Sequence, residues 1–508
     1  MPAVTRLLRN EYLDSLVLMH LSNEVSSWPG VRQAVLVMGT ESNRRILEQV
    51  GLLTGVARTA TPQDLVIAAE LEPSLGEAEF MARLDQRMRA RQRTGSASQG
   101  YSDLVTALRD HPEARLVSIS LPGEHAAVAA RQALKLDRHV FCFSQHVTLD
   151  DELALKKLAV ERGLLMMGPD CGTAIVDGVG LGFANRVRSG SIGLVSASGS
   201  GLQEVVCLIH RAGAGISQAI GVGGRDLRAP LNGIMAEAAV RWLGQDSHTQ
   251  VIVLLAKSAS VQARRRVLDA ARACGKPTVV DFLSGEIADL RPSGAVAADT
   301  FEKCASEAVR LTGLARPPSP GAGDSEVALQ ARVAEMPSSR RFVRGLYAGG
   351  SLCGEATHIL EKSGIRAASN LEEPLSERPA GHLVLDLGAE EYTQGRAHPF
   401  IDPRLRSLEI QQAFADESVG ILLIDVVLGL GCHPDPAGAV VEALQKASDA
   451  HGKGPVVIAC LCGTPEDRQG YDRQLARLLH AGVHVAGSHA AAAQLAARLT
   501  TLIEVKHG

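Results

Sequence analysis

The chain has 508 residues, more than one hydrophobic core usually serves, so we expect roughly two to four domains. Its net charge of -4 and its aromatic content of 3% argue against a nucleic-acid interface, which needs basic surface and stacking rings. No apolar run reaches the length of a membrane-spanning helix, and the first 15 residues lack the apolar core of a signal peptide. We therefore expect a cytoplasmic protein without a membrane role, and the nine scattered cysteines predict reduced thiols and no metal site.

The predicted elements fall into two patterns along the chain. Residues 3–92 are predicted to alternate strand and helix, as in a small ferredoxin-like α+β unit. Further along, a short β-branched run, a turn of small residues and an amphipathic helix follow one another repeatedly. These runs lie at 114–134, 138–163, 191–213, 250–275, 277–283, 418–431 and 454–463. Such alternation gives parallel sheets with helices on both faces, so the predicted fold class is α/β.

Two composition breaks mark predicted boundaries between domains. "RTGSASQG" (93–100) has the composition of a flexible linker, and "LARPPSPGAGDSEV" (314–327) is rich in Pro and Gly. A weaker boundary is predicted near residue 188. "LVSASGSGLQEV" (194–205) and "LYAGGSLCGEA" (346–356) are similar junctions between a strand and a helix, which indicates two related domains.

The small residues at these two junctions are candidate phosphate ligands. The N–H groups in the first turn of a helix have no intrahelical partner and carry partial positive charge, and glycine lets an anion approach them. The candidates are Ser198, Gly199, Ser200, Gly349, Gly350 and Ser351. The alternative is that small residues only turn the chain from strand to helix. Neither junction is a Walker A loop or a dinucleotide-binding G-x-G-x-x-G turn.

Other polar residues follow predicted strands, at the edge where parallel α/β sheets bind ligands. One group is the turn "GVGGRDL", with Gly223, Gly224, Arg225 and Asp226. A second group comprises Arg396, His398, Asp402 and Arg404, and a third Asp425, His433 and Asp435. The alternative for these acids is that they cap loops and helices.

Several stretches together resemble a known family. "GLLMMGPDCGTAI" (163–175), "GSIGLVSASGSGLQEV" (190–205) and "GVGGRDL" resemble the α-subunit of succinyl-CoA synthetase. "YAGGSLCGEATHIL" (347–360) resembles the C-terminal domain of its β-subunit. With "GRAHPFIDPRLR" and "VVLGLGCHPDPA", the whole arrangement is similar to the FdrA family.

The resemblance implies a set of Rossmann-like and flavodoxin-like parallel-sheet domains of the succinyl-CoA synthetase type, behind a small N-terminal α+β unit. The expected division is 1–95 for the α+β unit, 100–188 for a CoA-binding-like domain, 189–315 for a first CoA-ligase-type domain, 316–340 for a linker and 341–505 for a second CoA-ligase-type domain. In the synthetases, one helix from each subunit points its N-terminus at a phosphohistidine. The resemblance therefore implies that the helices starting at Ser198–Ser200 and at Gly350–Leu352 form one phosphate cradle in a single chain.

Three departures from the synthetases change the implied chemistry. Residues 284–304, where the phosphohistidine motif is expected, contain no histidine. Lys257 stands near the position of the glutamate that steadies that histidine, and a lysine suits a free phosphate or an acyl phosphate better. The glycine-rich loop that opens the CoA domain is missing, and no stretch resembles an ATP-grasp domain. The phosphate cradle is thus kept, while phosphohistidine chemistry and nucleotide use are lost.

The FdrA resemblance implies a subunit of an oxamate carbamoyltransferase in allantoin and purine catabolism. The reaction moves a carbamoyl group between carbamoyl phosphate and oxamate, and further subunits and an oligomer are expected. Lys257 and Arg225 would neutralise charge, while His433 or His398 with an acid such as Asp435 would move the proton. Asp170 and Cys171 of "GPDCGTA" belong to the implied substrate site, although Cys171 and Cys353 also fit as small buried thiols.

Two alternatives stay open at this point. One is an acyl-CoA synthetase of the ADP-forming succinyl-CoA ligase type, working with an ATP-grasp partner; only then are CoA and ATP expected as cofactors. The other is a non-catalytic scaffold or regulatory subunit that retains a ligand pocket.

Overall fold

The computed structural model describes residues 4–507 apart from 12, 14, 27, 50, 95–100, 102, 283–293, 315–322, 376 and 394–396. The chain divides into two compact units, Met1–Arg115 with Tyr392–Asp402, and Leu116–Glu391 with Pro403–Gly508. Within the described ranges, no helix combines the length and the hydropathy needed to cross a bilayer.

The first unit is the expected small α+β fold. Its strands β1 (Val4–Leu8), β2 (Val31–Met38) and β3 (Leu65–Leu71) form an antiparallel sheet in the order β1-β3-β2. Its helices are α1 (Ser15–Ser26), α2 (Glu41–Gln49), α3 (Gly55–Arg58), α4 (Glu77–Thr94) and α5 (Leu104–Asp110). The central strand alternates between two apolar clusters, with Ile67 and Ala69 in one and Val66 and Ala68 in the other, so both faces of the sheet are covered.

The second unit begins with a small parallel sheet. Its strands are β4 (Leu116–Ile119), β5 (His139–Cys142) and β6 (Met166–Met167), joined by α6 (Gly123–Lys135) and α7 (Leu149–Glu161). Thr148 caps α7 by accepting a hydrogen bond from the N–H of Asp151, as the sequence Thr-x-x-Asp favours.

A seven-stranded sheet follows, in the order β13-β12-β11-β9-β10-β7-β8. Its elements are β7 (Thr173–Val176), β8 (Val179–Gly182), β9 (Ser189–Ser196), α8 (Gly199–Arg211), β10 (Ile216–Gly221), α9 (Ile234–Gln245), β11 (Val251–Ala256), α10 (Val261–Cys274), β12 (Thr278–Phe282), β13 (Val296–Ala297) and α11 (Phe301–Leu311). The expected boundary near residue 188 separates β9 from the hairpin β7–β8, but the structure joins them in one sheet, because Ala219 of β10 pairs with Ile175 of β7.

A six-stranded, all-parallel sheet completes the unit, in the order β15-β16-β14-β17-β18-β19. Its elements are α12 (Glu326–Ala334), β14 (Phe342–Tyr347), α13 (Gly350–Lys362), β15 (Ala368–Ser369), β16 (Leu383–Asp386), α14 (Glu390–Thr393, of which only Glu390 and Glu391 belong to this unit), α15 (Arg404–Ala415), β17 (Val419–Val427), α16 (Pro436–His451), β18 (Val456–Cys462), α17 (Tyr471–His480), β19 (His484–Ala486) and α18 (His489–His507). All nine residues of β17 are buried, as expected for a central strand covered on both faces.

The two large sheets share one plan. In each, an interior strand (β9 or β14) leads into a helix (α8 or α13) that packs against the last helix of its own sheet, α11 or α18. The helices α8 and α13 also pack against each other, so the carboxyl ends of β9 and β14 meet. The predicted α/β fold is confirmed.

Candidate functional site

The start of α8 is folded by its own serine hydroxyls. The Ser196 hydroxyl accepts from the N–H of Ser198 at 2.9 Å and donates to its carbonyl oxygen at 2.7 Å. The Ser198 hydroxyl then caps the helix by accepting from the N–H of Gly201 at 3.0 Å. A Cβ on Gly201 would lie 2.3 Å from that hydroxyl, whereas a Cβ on Gly199 would meet nothing within 4 Å. The turn therefore presents Gly199 to open space.

A small pocket lies at this turn and joins several of the predicted ligand turns. It is lined by Asp170, Cys171, Gly172, Thr173, Ser196, Ala197, Ser198, Gly199, Gly221, Gly223 and Gly224. Asp170 accepts from the side-chain amide of Gln145 at 3.1 Å. The Cys171 thiol is directed at the carbonyl oxygens of Thr173 and Gly221, and burial raises its pKa to about 12. A thiol with that pKa is a structural group and not a nucleophile at neutral pH.

The start of α13 is held by a buried carboxylate. The N–H groups of Ala348 and Gly349 donate to Oδ1 and Oδ2 of Asp425, at 2.9 and 2.8 Å. Arg406 pairs with the same carboxylate at 3.0 Å and donates to the Asp425 carbonyl oxygen at 2.6 Å. Both oxygens of Asp425 are thus bound in the fold. This arrangement differs from the expectation that Asp425 joins His433 and Asp435.

The two helix starts lie side by side although they are 151 positions apart in the chain. The N–H of Ser351 donates to the Ser200 hydroxyl at 3.2 Å, and a Cβ on Gly349 would lie 2.7 Å from the Cβ of Ser200. Two helix N-termini therefore converge within one unit, and their partial positive charges add at the same place. The structure brings together the predicted phosphate ligands of both junctions.

Two charged side chains flank this junction, and only one of them was expected. Lys257 follows β11, and its ammonium group counteracts the rise in the pKa of Asp386 and of Cys353. Asp386 ends β16, and a Cβ on Gly350 would lie 2.3 Å from its Oδ2. Burial raises the pKa of Asp386 to about 6. Sequence reasoning missed Asp386, although an aspartate that ends an apolar strand is the signal used for the other candidates.

The predicted ligands Arg225 and Asp226 are engaged in ion pairs that involve the buried carboxylates of Glu152 and Asp226. Asp226 accepts from the ammonium group of Lys156 at 2.9 Å and from the N–H of Ala236 at 2.9 Å. Arg225 pairs with Glu152 at 2.7 Å and donates to the Val147 carbonyl oxygen at 2.8 Å. These contacts tie the small parallel sheet to the seven-stranded sheet and leave Gly223 and Gly224 as the members of this turn that line the pocket.

The remaining predicted residues lie on other segments. Asp435 caps α16 by accepting from the N–H of Gly438, pairs with Arg477, and donates its own N–H to Nδ1 of His433 at 3.0 Å. His398 and Asp402 belong to the first unit, where the N–H of Asp402 donates to the His398 carbonyl oxygen at 3.0 Å.

Arg396 lies outside the described residues, and Arg404 begins α15 in the second unit. The cluster of Arg396, His398, Asp402 and Arg404 stays a prediction.

The chain is similar to known families and proteins in each of its parts. The family "AllF, heavy metal-associated domain" matches residues 1–104, and the family "CoA-ligase" matches residues 346–499. The protein YahF of Escherichia coli is 37% identical over 488 residues, which cover 94% of this chain and 95% of YahF. The succinate–CoA ligase subunit alpha-2 of Trichomonas vaginalis is 31% identical over 153 residues, 29% of this chain and 47% of that subunit. The chain therefore belongs to the FdrA family of CoA-ligase-like acyl-CoA synthetases, together with YahF.

Among solved structures, PH0766 from Pyrococcus horikoshii matches with a TM-score of 0.33 and 15% identity, covering 77% of this chain and 84% of that one. The ATP citrate lyase of Methanothrix soehngenii, solved with citrate and coenzyme A, matches with a TM-score of 0.34 and 17% identity, covering 47% of this chain and 46% of that one.

The family name of the N-terminal segment suggests a bound heavy metal, and the residues of that segment show whether they fit one. Residues 1–104 contain no cysteine, the ligand that soft heavy metals prefer, so this segment does not fit a thiolate metal site. Across the described ranges no three His, Cys, Asp or Glu side chains are placed to hold a metal ion. At the start of α6, a Cβ on Gly123 would lie 2.2 Å from the His146 carbonyl oxygen, so this glycine allows the close approach of two main-chain segments.

Proposed function

We propose that this chain is the phosphate-handling subunit of a group-transfer enzyme, with carbamoyl phosphate and oxamate as its substrate pair. The proposal rests on one observation: the α8 and α13 starts converge beside Lys257. In addition, residues 284–304 contain no histidine that could carry a phosphoryl group. A cradle for phosphate without a phosphohistidine suits direct transfer from an acyl phosphate. The substrate pair itself is what the FdrA resemblance implies.

In this proposal the cradle acts on the phosphoryl end of the substrate. The Ser198 and Ser200 hydroxyls bind the N–H groups of Gly201 and Ser351 and so fix the shape of the two turns. The phosphate oxygens are held by other first-turn N–H groups, those of Gly199 and Gly350. Lys257 offsets negative charge as the bond between the carbonyl carbon and the phosphate oxygen breaks.

A second candidate is an acyl-CoA synthetase of the ADP-forming type. The match of residues 346–499 to the CoA-ligase family and the identity with a succinate–CoA ligase subunit favour it. In that case a partner subunit supplies the ATP site and the phosphohistidine, and CoA and ATP are cofactors. The two candidates share the cradle but differ in what delivers the phosphoryl group to it.

The experiment follows phosphate release by this protein purified with the subunits that accompany it. One sample contains carbamoyl phosphate with and without oxamate, and a parallel sample contains ATP, CoA and succinate. We expect oxamate-dependent release that falls about 100-fold in Lys257→Ala, the scale of one electrostatic contact in a transition state. The control is Lys446→Ala, because Lys446 pairs on the surface with Glu442 and its side chain is 64% exposed.

Turnover confined to the sample with ATP and CoA would overturn carbamoyl transfer and support the synthetase. Equal activity of Lys257→Ala and the wild type would remove the proposed role of the cradle. Inactivity in both samples would favour a non-catalytic subunit.

A further inference from the structure

Asp386 is fixed at the α13 start by the sheet and not by a loop. Strand β16 pairs with β14 in a register that places Asp386 opposite Tyr347, two positions before the cradle residue Gly349. The main chain of Asp386 is held on both sides by Asn370, which accepts from its N–H at 2.8 Å and donates to its carbonyl oxygen at 2.9 Å. The position of the carboxyl group is therefore rigid.

The two carboxyl oxygens of Asp386 have different surroundings. Oδ1 accepts from the N–H of Gly388 at 2.9 Å. Oδ2 is directed at the first turn of α13, 2.3 Å from where a Cβ of Gly350 would stand, and has no hydrogen-bond partner in the described part of the chain. Asp386 is only 8% exposed. Asp425 differs, because both of its oxygens are bound to N–H groups.

We infer that Asp386 is the catalytic base of the cradle: its Oδ2 accepts the proton that the acceptor nitrogen loses when that nitrogen attacks the acyl phosphate. The inference rests on the proposed function and adds a substrate class, acceptors with an N–H group. The nitrogen forms a bond to the carbonyl carbon and its proton passes to Oδ2. The bond between that carbon and the phosphate oxygen breaks, and the electron pair leaves with phosphate. In the reverse direction protonated Asp386 returns the proton.

The charges around Asp386 suit this role. Burial is the largest influence on the pKa of Asp386, Lys257 and the Gly388 N–H oppose it, and the charges of Asp425 and Glu391 add to it, so that the pKa is raised to about 6. The neighbouring Cys353 thiol has a pKa raised well above its usual value and stays neutral. Asp386 is thus ionised at neutral pH and holds a proton more readily than an exposed carboxylate, as a general base requires.

The test compares Asp386→Asn with the wild type in the assembled complex. Asparagine keeps the acceptor for Gly388 but cannot take a proton. We expect kcat/KM with carbamoyl phosphate and oxamate to fall at least about 100-fold, within the range for general-base catalysis. The wild-type profile should lose activity below about pH 6. The control is Asp416→Asn, because Asp416 pairs with Arg344 at the opposite edge of the same sheet.

A binding measurement without turnover separates this inference from the proposed function. Sulfate keeps a constant charge between pH 5.5 and 7.5, so calorimetry with sulfate reports the protein's own titration. Wild-type affinity should fall several-fold as Asp386 ionises, and affinity in Asp386→Asn should be constant. An active Asp386→Asn enzyme, or wild-type sulfate affinity that does not depend on pH, would overturn the inference. A wild-type complex that binds sulfate in this pH-dependent way but does not transfer the carbamoyl group would overturn the proposed function instead, and the proton-transfer role with it.

Discussion

At the scale of single residues, the glycines of the two helix starts have different tasks. A Cβ on Gly350 would strike Asp386 Oδ2, whereas a Cβ on Gly199 would enter open space at the pocket. We therefore expect Gly199→Ala to fold normally and to bind sulfate at least about fivefold more weakly, because the new methyl group stands where the anion approaches. Calorimetry and thermal unfolding measure the two effects. The matched control is Gly55→Ala, since Gly55 also opens a helix with nothing within 4 Å of its Cβ position. Unchanged sulfate affinity in Gly199→Ala would contradict the cradle.

The residues of the cradle could be predicted from the sequence to different degrees. The Ser and Gly residues at 198–200 and 349–351 form local patterns, because a strand, a turn and a helix start follow one another within about ten residues. Asp386 belongs to the cradle only through the register of β16 beside β14, which no local pattern encodes. Arg225 and Asp226 were expected as ligands, yet their partners Glu152 and Lys156 come from α7, far away in the chain.

The raised pKa of Asp386 also predicts how stability depends on pH. Because the folded state binds this proton more tightly than the unfolded chain does, the contribution of Asp386 favours folding at low pH and is lost as pH rises from about 4 to about 6. Asp386→Asn removes this dependence. The free energy of unfolding of the variant minus that of the wild type should therefore increase between about pH 4 and about pH 6, by on the order of 2 kcal/mol. Hydrogen exchange of β16 amides at pH 4, 5 and 6 measures the difference. An equal difference at all three values would show that Asp386 ionises normally.

At the scale of elements, α8 and α13 each supply a glutamate that reaches the other sheet's last helix. Glu204 of α8 accepts from the N–H of His489, which opens α18, at 3.0 Å. Glu355 of α13 accepts from the N–H of Phe301, which opens α11, at 2.6 Å. The His489 imidazole Nδ1 lies 2.5 Å from the second oxygen of Glu355. Both glutamates are fully buried. These reciprocal contacts of Glu204 and Glu355, called the crossing below, hold the two helix starts together.

The contacts of Glu204 and Glu355 with the opposite sheet's last helix predict that loss of one buried carboxylate weakens both helix starts. Glu355→Gln removes the charged partner of His489 from a buried site, which should destabilise the starts of α11 and α18 by about 3 kcal/mol. Amide exchange at these two helix starts should then be roughly 100-fold faster. Glu442→Gln is the control, because Glu442 forms an exposed pair within α16 that contributes little. Exchange that changes equally little in both variants would show that the crossing does not hold the helices. The sequence could not predict the crossing, since Glu204 and Glu355 read as ordinary helix residues.

At the scale of the whole molecule, the resemblance of two junctions on either side of a Pro-rich linker predicted two related domains in one chain. In the structure, the helix that follows an interior strand of each large sheet packs against the last helix of the same sheet, and the glutamates of α8 and α13 bind the last helix of the other sheet. The N-terminal unit does not share this plan and has its own antiparallel sheet and its own core. Ligand binding at the cradle should therefore stabilise one unit and leave the other unchanged.

Sulfate at about 100 times its dissociation constant should stabilise the second unit by about 2.7 kcal/mol, since a ligand that binds only the folded state adds that free energy. Hydrogen exchange of the full chain, with and without sulfate, measures where this free energy appears. Protection should rise in β9–α8 and β14–α13 and should not change in β1 or β3. A potassium chloride sample at equal ionic strength separates specific binding from screening. Equal protection in both units would mean that sulfate acts on the surface in general, and protection of α8 without α13 would mean that the two helix starts do not act as one cradle.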